Sequence, residues 1–133
     1  MKPFNLKIIT PDGVKFSGEC ESLLVRTVDG DVEILADHTD MFCTVGVGRA
    51  RLLLSGESRH GAAQGGTLTV LSGDVTLLPV TFEFKDEIDT ARAEAARERA
   101  EVALQAARDK RTEDVARAKL LRALNRLSVA ERK

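Results

Sequence analysis

The sequence predicts a chain that is α+β by segments: an antiparallel β-sandwich of about ten short strands over residues 1–85, then an antiparallel two-helix hairpin over residues 86–133. Three observations carry this. All ten glycines, all three prolines and all five phenylalanines fall in residues 1–85, and none falls beyond. Apolar residues in the first part alternate with a period of two, and turn signals recur every 8 to 12 residues or so. The last 48 residues hold twelve alanines and 22 charged residues with no breaker, the composition of helices.

The strands follow in order. Phe4, Leu6 and Ile8 alternate with Asn5 and Lys7. Pro11-Asp12-Gly13 is a turn, because proline presets φ and glycine accepts positive φ. Val14 and Phe16 flank Lys15, and Leu23, Val25 and Thr27 run up to the stop at Asp29-Gly30. Ala50, Leu52 and Leu54 follow Gly46 and Gly48; Leu68 and Val70 follow Gly65-Gly66; Val75 and Leu77 follow Gly73-Asp74. Val80, Phe82 and Phe84 form the last strand face, with Thr81 and Glu83 opposite. No helix interrupts them, which is the pattern of a sandwich or barrel.

In the tail, Asp86 is the expected N-cap of a first helix running from residue 88 to about residue 107. Arg108-Asp109-Lys110-Arg111 interrupts it, and Thr112 is the expected cap of the second helix. Ala116, Leu120, Ala123, Leu127 and Ala130 line one face, and Leu121 and Leu124 are expected to widen it. The seam is thin. Ile88, Val102 and Leu104 are the large apolar residues of helix one, and the rest of its apolar face is alanine. At about 0.8 kcal/mol per buried methylene, alanines hold a hairpin weakly. The helices can therefore separate without melting, although a rigid Ala-rich hairpin fits the same residues.

The formal net charge is −1, so no global field favours nucleic acid or a membrane surface. No apolar run approaches the roughly 20 residues of a membrane span, and no secretory leader is legible. Cys20 and Cys43 read as two free thiols, at least partly buried. There is no phosphate loop, dinucleotide fingerprint or paired metal-ligand motif, so an enzyme is not expected. His38 between Asp37 and Asp40 reads as a polar loop histidine, not a general base or metal ligand. One basic cluster stands out. Lys119, Arg122 and Arg126 form a stripe, and Arg92 and Arg99 share a face seven residues apart. Four arginines converge if the hairpin closes suitably, and guanidinium forks suit phosphate or carboxylate. A solvated face with intrahelical pairs such as Arg97 with Glu101 is the plainer alternative.

Several segments together resemble the epsilon subunits of F-type ATP synthases. They are Leu6-Lys7-Ile8-Ile9-Thr10-Pro11-Asp12-Gly13 with Phe16-Ser17-Gly18, the stretch from Asp29 to His38, and Gly65-Gly66. Ile88-Asp89-Thr90-Ala91-Arg92-Ala93 matches the motif at the start of that family's first helix, and Arg122-Ala123-Leu124-Asn125-Arg126-Leu127 matches a motif of its second. Glu33, Ala36-Asp37 and Thr39-Asp40 depart from the family's pattern.

The resemblance implies a non-catalytic central-stalk subunit at the cytoplasmic face of the bacterial plasma membrane. Its partners would be the gamma subunit, the c-subunit ring and the catalytic alpha/beta hexamer. It would couple rotor rotation to ATP synthesis and restrain ATP hydrolysis through its helices. Asp31 would face the ring, His38 would lie near gamma, and Lys119, Arg122 and Arg126 would meet the hexamer. ATP with Mg2+ would bind Glu83, Ile88, Asp89, Arg92, Ala93, Arg99, Arg122 and Arg126 as a regulatory ligand, with no cofactor required. A structural brace without ATP sensing, or an unrelated adaptor domain, are the rival expectations.

Overall fold

The computed structural model describes residues 1–132. Among these, nine strands occupy the first part: β1 (Phe4–Thr10), β2 (Gly13–Cys20), β3 (Ser22–Thr27), β4 (Gly30–Ile34), β5 (Met41–Leu54), β6 (Glu57–Gln64), β7 (Thr67–Leu71), β8 (Asp74–Leu78) and β9 (Thr81–Phe84). They form two layers, ordered β2-β1-β8-β7-β5 and β4-β3-β5-β6-β9.

The shared strand is β5. Met41–Thr44 pair with β7, and Val45–Leu54 pair with β3 and β6. The sequence predicted a strand starting only beyond Gly48. The glycines instead let one fourteen-residue strand turn the corner between sheets. At Gly46 a side chain would stand 3.2 Å from the Thr27 carbonyl, beside the register shift in β3.

One pairing departs from the antiparallel expectation: β1 lies parallel to β8, with Leu6 opposite Val75 and Ile8 opposite Leu77. These strands are far apart in the chain, so no hairpin fixes their direction.

The predicted alternation is what fills the core. Phe4, Leu6 and Ile8 are buried while Asn5 and Lys7 are exposed. They pack with Leu23, Val25, Ile34, Leu52, Leu68, Leu77 and Phe82 between the layers. Both cysteines are free. The Cys20 thiol donates to the Ser22 carbonyl at 3.0 Å. Burial pushes both thiol pKa values up, which makes each a poor nucleophile.

The tail holds a 3-10 turn (Lys85–Glu87), then α1 (Thr90–Ala106) and α2 (Lys110–Ala130). The cap of α1 is Asp89, accepting from the Arg92 amide at 3.0 Å, and not Asp86. The 3-10 turn displaces the start, because Glu87 Oε1 takes the Phe84 amide at 2.9 Å. The cap of α2 is Asp109, accepting from the Thr112 amide at 2.8 Å, and not Thr112 itself. A carboxylate accepts more strongly than a hydroxyl, and the Thr112 Oγ1 donates to it.

The buried residues of α1 are Ala93 and Ala100; those of α2 are Ala116, Ala123 and Val129. The seam is therefore alanines seven residues apart on each helix. Leu121 and Leu124 do not widen it; they are 53% and 45% exposed. Each residue turns the helix by about 100°, so Leu124 already lies far around from Ala123. Helix α1 packs mainly on α2, and α2 also lies across β5, β6 and the 3-10 turn. Asn125 Nδ2 donates to the Gly48 carbonyl at 3.0 Å, and Arg126 Nε donates to Glu83 Oε1 at 2.5 Å.

Candidate functional site

A cleft of about 480 Å3 opens where the hairpin meets the sandwich. Its floor is the β1–β2 turn and β9; its walls are the 3-10 turn, α1 and α2. Of the eight residues expected to bind ATP, six line it: Glu83, Asp89, Arg92, Ala93, Arg99 and Arg126. Ile88 and Arg122 are half-buried and do not line it.

Sequence reasoning missed Thr10, Asp12, Lys15, Thr81 and Glu87, which also line the cleft. Lys15 and Thr10 reach it only because the fold brings the β1–β2 hairpin of one sheet and β9 of the other to the same cleft. No periodicity could have signalled a contact across some 70 residues of chain.

The electrostatics are uneven. Arg126 is held by Glu83, and Lys15 Nζ stands 3.6 Å from Glu87 Oε2. Asp89 is committed to capping α1. Arg92 and Arg99 form no ion pair among the described residues. Two uncommitted guanidinium groups two turns apart on one face leave the cleft able to take an anion. Its volume falls within the usual range for small-molecule sites, about 300–1,000 Å3. No group of three metal ligands exists among the described residues.

The face beneath α2 is polar. Cross-strand register aligns Gln64 with Thr81, Ala62 with Glu83, and Arg51 with His60. Arg51 Nε, His60 Nδ1, the Gln64 amide and Thr81 Oγ1 are buried with no protein partner among the described residues. Burial, and then Arg132, Arg49, Arg51 and Lys85 around it, hold the His60 pKa below its ordinary value. Such a face loses little on returning to water.

The expected partner-facing residues lie elsewhere. Asp31 is bound by Arg26 Nε at 2.6 Å, which holds its carboxyl below the usual range. His38 Nδ1 lies 2.8 Å from the Thr39 carbonyl. Its aspartate neighbours are engaged by others: Asp37 by Lys2 at 2.9 Å, and Asp40 by the Ser72 amide at 2.8 Å. Neighbouring strand ends expose apolar side chains, with Val28, Phe42 and Leu71 all more than half exposed. Lys119 is exposed on α2.

Comparison with known proteins fits this architecture. The family model described as ATP synthase, Delta/Epsilon chain, beta-sandwich domain matches residues 3–85. The model described as ATP synthase, Delta/Epsilon chain, long alpha-helix domain matches residues 86–131. Corner-strand sandwich and helix pair thus define the class, a delta/epsilon-type chain. The ATP synthase epsilon chain of Caldicellulosiruptor bescii is 37% identical over 98% of this chain and 96% of its own length. That of Bacillus pumilus is 39% identical over 98% of each. The chain belongs to the ATP synthase epsilon chain family.

Two solved structures share the fold. One is a chain of the Euglena gracilis mitochondrial ATP synthase, solved with OSCP, F1 and c-ring. It has a TM-score of 0.81 at 20% identity, over 92% of this chain and 78% of that one. The other is a chain of the Tetrahymena thermophila mitochondrial ATP synthase central stalk and c-ring. Its TM-score is 0.70 at 10% identity, over 95% of each chain.

Proposed function

We propose that the chain is a non-catalytic central-stalk subunit of an F-type proton-translocating ATP synthase at the cytoplasmic face of a bacterial plasma membrane. In this reading residues 1–85 dock on the gamma subunit and the c-subunit ring, and carry rotor rotation toward ATP synthesis. Residues 86–133 restrain ATP hydrolysis by engaging the catalytic alpha/beta hexamer when the hairpin opens. Family membership supports the assembly. The exposed Val28, Phe42 and Leu71 support a docking role for the sandwich, since clustered exposed apolar residues mark interfaces.

The observation that carries the regulatory part is the cleft with Arg92 and Arg99, which form no ion pair among the described residues. ATP with Mg2+ fits it as a regulatory ligand. The triphosphate would meet Arg92, Arg99 and Arg126, while Ala93 and Ala96 leave room beside them. Bound anion favours the closed hairpin, because only the closed form brings α1, α2 and β9 together. Opening is easy in its absence. The seam is alanine, and the sheet face beneath α2 is polar.

The test is a thermal melt and calorimetric titration of the isolated chain with MgATP. At 100 times Kd, binding stabilises by about 2.7 kcal/mol, so the melting temperature should rise by several degrees. An R92A/R99A double variant should lose that rise. No heat and no shift up to millimolar MgATP would remove ATP sensing and leave a fixed brace.

A further inference from the structure

We infer that Lys15, on β2, is a phosphate-binding residue of this cleft, so that the bound polyphosphate ties the hairpin to the sandwich directly. This rests on the cleft being the nucleotide site argued above.

The geometry is specific. Lys15 lines the same cleft as Arg92, Arg99 and Arg126. Its side chain is only 27% exposed and forms part of the cleft wall. Its one ionic neighbour is distant: 3.6 Å to Glu87 Oε2 lies beyond hydrogen-bond length. Glu87 cannot easily come closer, because its other oxygen holds the Phe84 amide at 2.9 Å. Lys15 makes no hydrogen bond among the described residues, so its three donors remain available to an anion.

The mechanical consequence follows from where each cation sits. Arg92 and Arg99 belong to α1, Arg126 to α2 and Lys15 to the sandwich. Helix α1 packs mainly on α2, through alanines, and its ties to the sandwich are few. An anion reaching both Lys15 and the α1 arginines supplies a bridge that the polypeptide itself lacks. A chain of phosphates spans separate cations better than one phosphate does. The preferred ligand class is therefore a nucleoside triphosphate over orthophosphate. Glu87 opposes the ligand as a fixed negative charge beside Lys15.

The test is calorimetry of the full chain with MgATP and with orthophosphate, for wild type, K15M and E87Q. An ion pair 3.6 Å long, with no hydrogen bond across it, contributes little to folding, so both variants should melt near wild type without ligand. The expected result is opposite signs. K15M weakens MgATP binding about tenfold, the scale of one charge-assisted hydrogen bond. E87Q strengthens it severalfold, since glutamine keeps an acceptor for the Phe84 amide and removes the competing charge. Orthophosphate should bind wild type far more weakly than MgATP.

If wild type binds MgATP and K15M binds it equally well, the role of Lys15 is overturned while the cleft reading stands. If K15M and E87Q both weaken binding, the pair is a structural brace and the inference fails. If wild type binds no MgATP, the cleft reading falls and this inference falls with it.

Discussion

Replacing Phe82 with alanine is expected to destabilise the isolated chain by about 3–5 kcal/mol. Phe82 is 2% exposed and heads the fully buried side chains by volume. Its ring meets Phe84 edge to face, centroids 4.9 Å apart. Beneath it lies Gly61, whose missing side chain is what lets the ring sit there. The strand it holds is fragile. β9 has four residues and pairs only with β6 at the end of its sheet. Domains of this size keep only about 5–15 kcal/mol in hand, so the loss is a large share of the total. Function should follow stability, because β9 carries Glu83 and leads straight into the helical tail. Urea unfolding followed by circular dichroism gives the number; a change below about 1 kcal/mol would mean that this strand is not anchored through its aromatic pair.

Replacing Ala123 with leucine is expected to pry the hairpin apart while leaving the sandwich folded. Ala123 is 1% exposed and shares its helix face with Ala116, seven residues earlier. A seam of alanines lets two helices approach closely, and three added carbons at a buried position push them apart. Overpacking of this kind costs roughly 1–3 kcal/mol. An alanine seam supplies little to resist it. Because alanine-rich α1 is a good helix former, helical circular dichroism should fall only slightly. The readouts are faster cleavage by trypsin within residues 86–133, and loss of the melting rise with MgATP. Unchanged protease resistance would show that the seam has slack, and that the helices are held by something else.

How much of this was legible in the sequence depends on how local the information is. The sandwich was, because most of its strands declare a buried face by alternation, as Phe4, Leu6 and Ile8 do; β6, with four consecutive buried residues, gave no such signal. The helical hairpin was, because Gly, Pro and Phe vanish after residue 85. The caps were misplaced by a few residues. Asp86, Asp89, Asp109 and Thr112 are all competent caps, and the 3-10 turn that decides between the first two depends on the Phe84–Glu87 contact. The continuity of β5 through Gly46 and Gly48 was hidden, since glycine looks the same in a turn and in a bend. Leu121 and Leu124 were misjudged because leucine on a helix usually faces a partner, and here the seam is set by alanines. Within the cleft, the arginines were visible through their helical spacing. Lys15 and Thr81 were not, because only the packing of the two sheets brings the first hairpin and β9 to one cleft.

The central claim is that residues 86–133 form a restraint on hydrolysis, stored in the closed hairpin while ATP is abundant. Its most direct test compares ATP hydrolysis by the assembled synthase carrying the whole chain or the chain ended at residue 85, from micromolar to millimolar MgATP. The shortened chain should give faster hydrolysis, with the gap widest at low ATP and narrowing as the cleft fills. Equal rates across the whole range would contradict the claim and leave the helices as a passive prop.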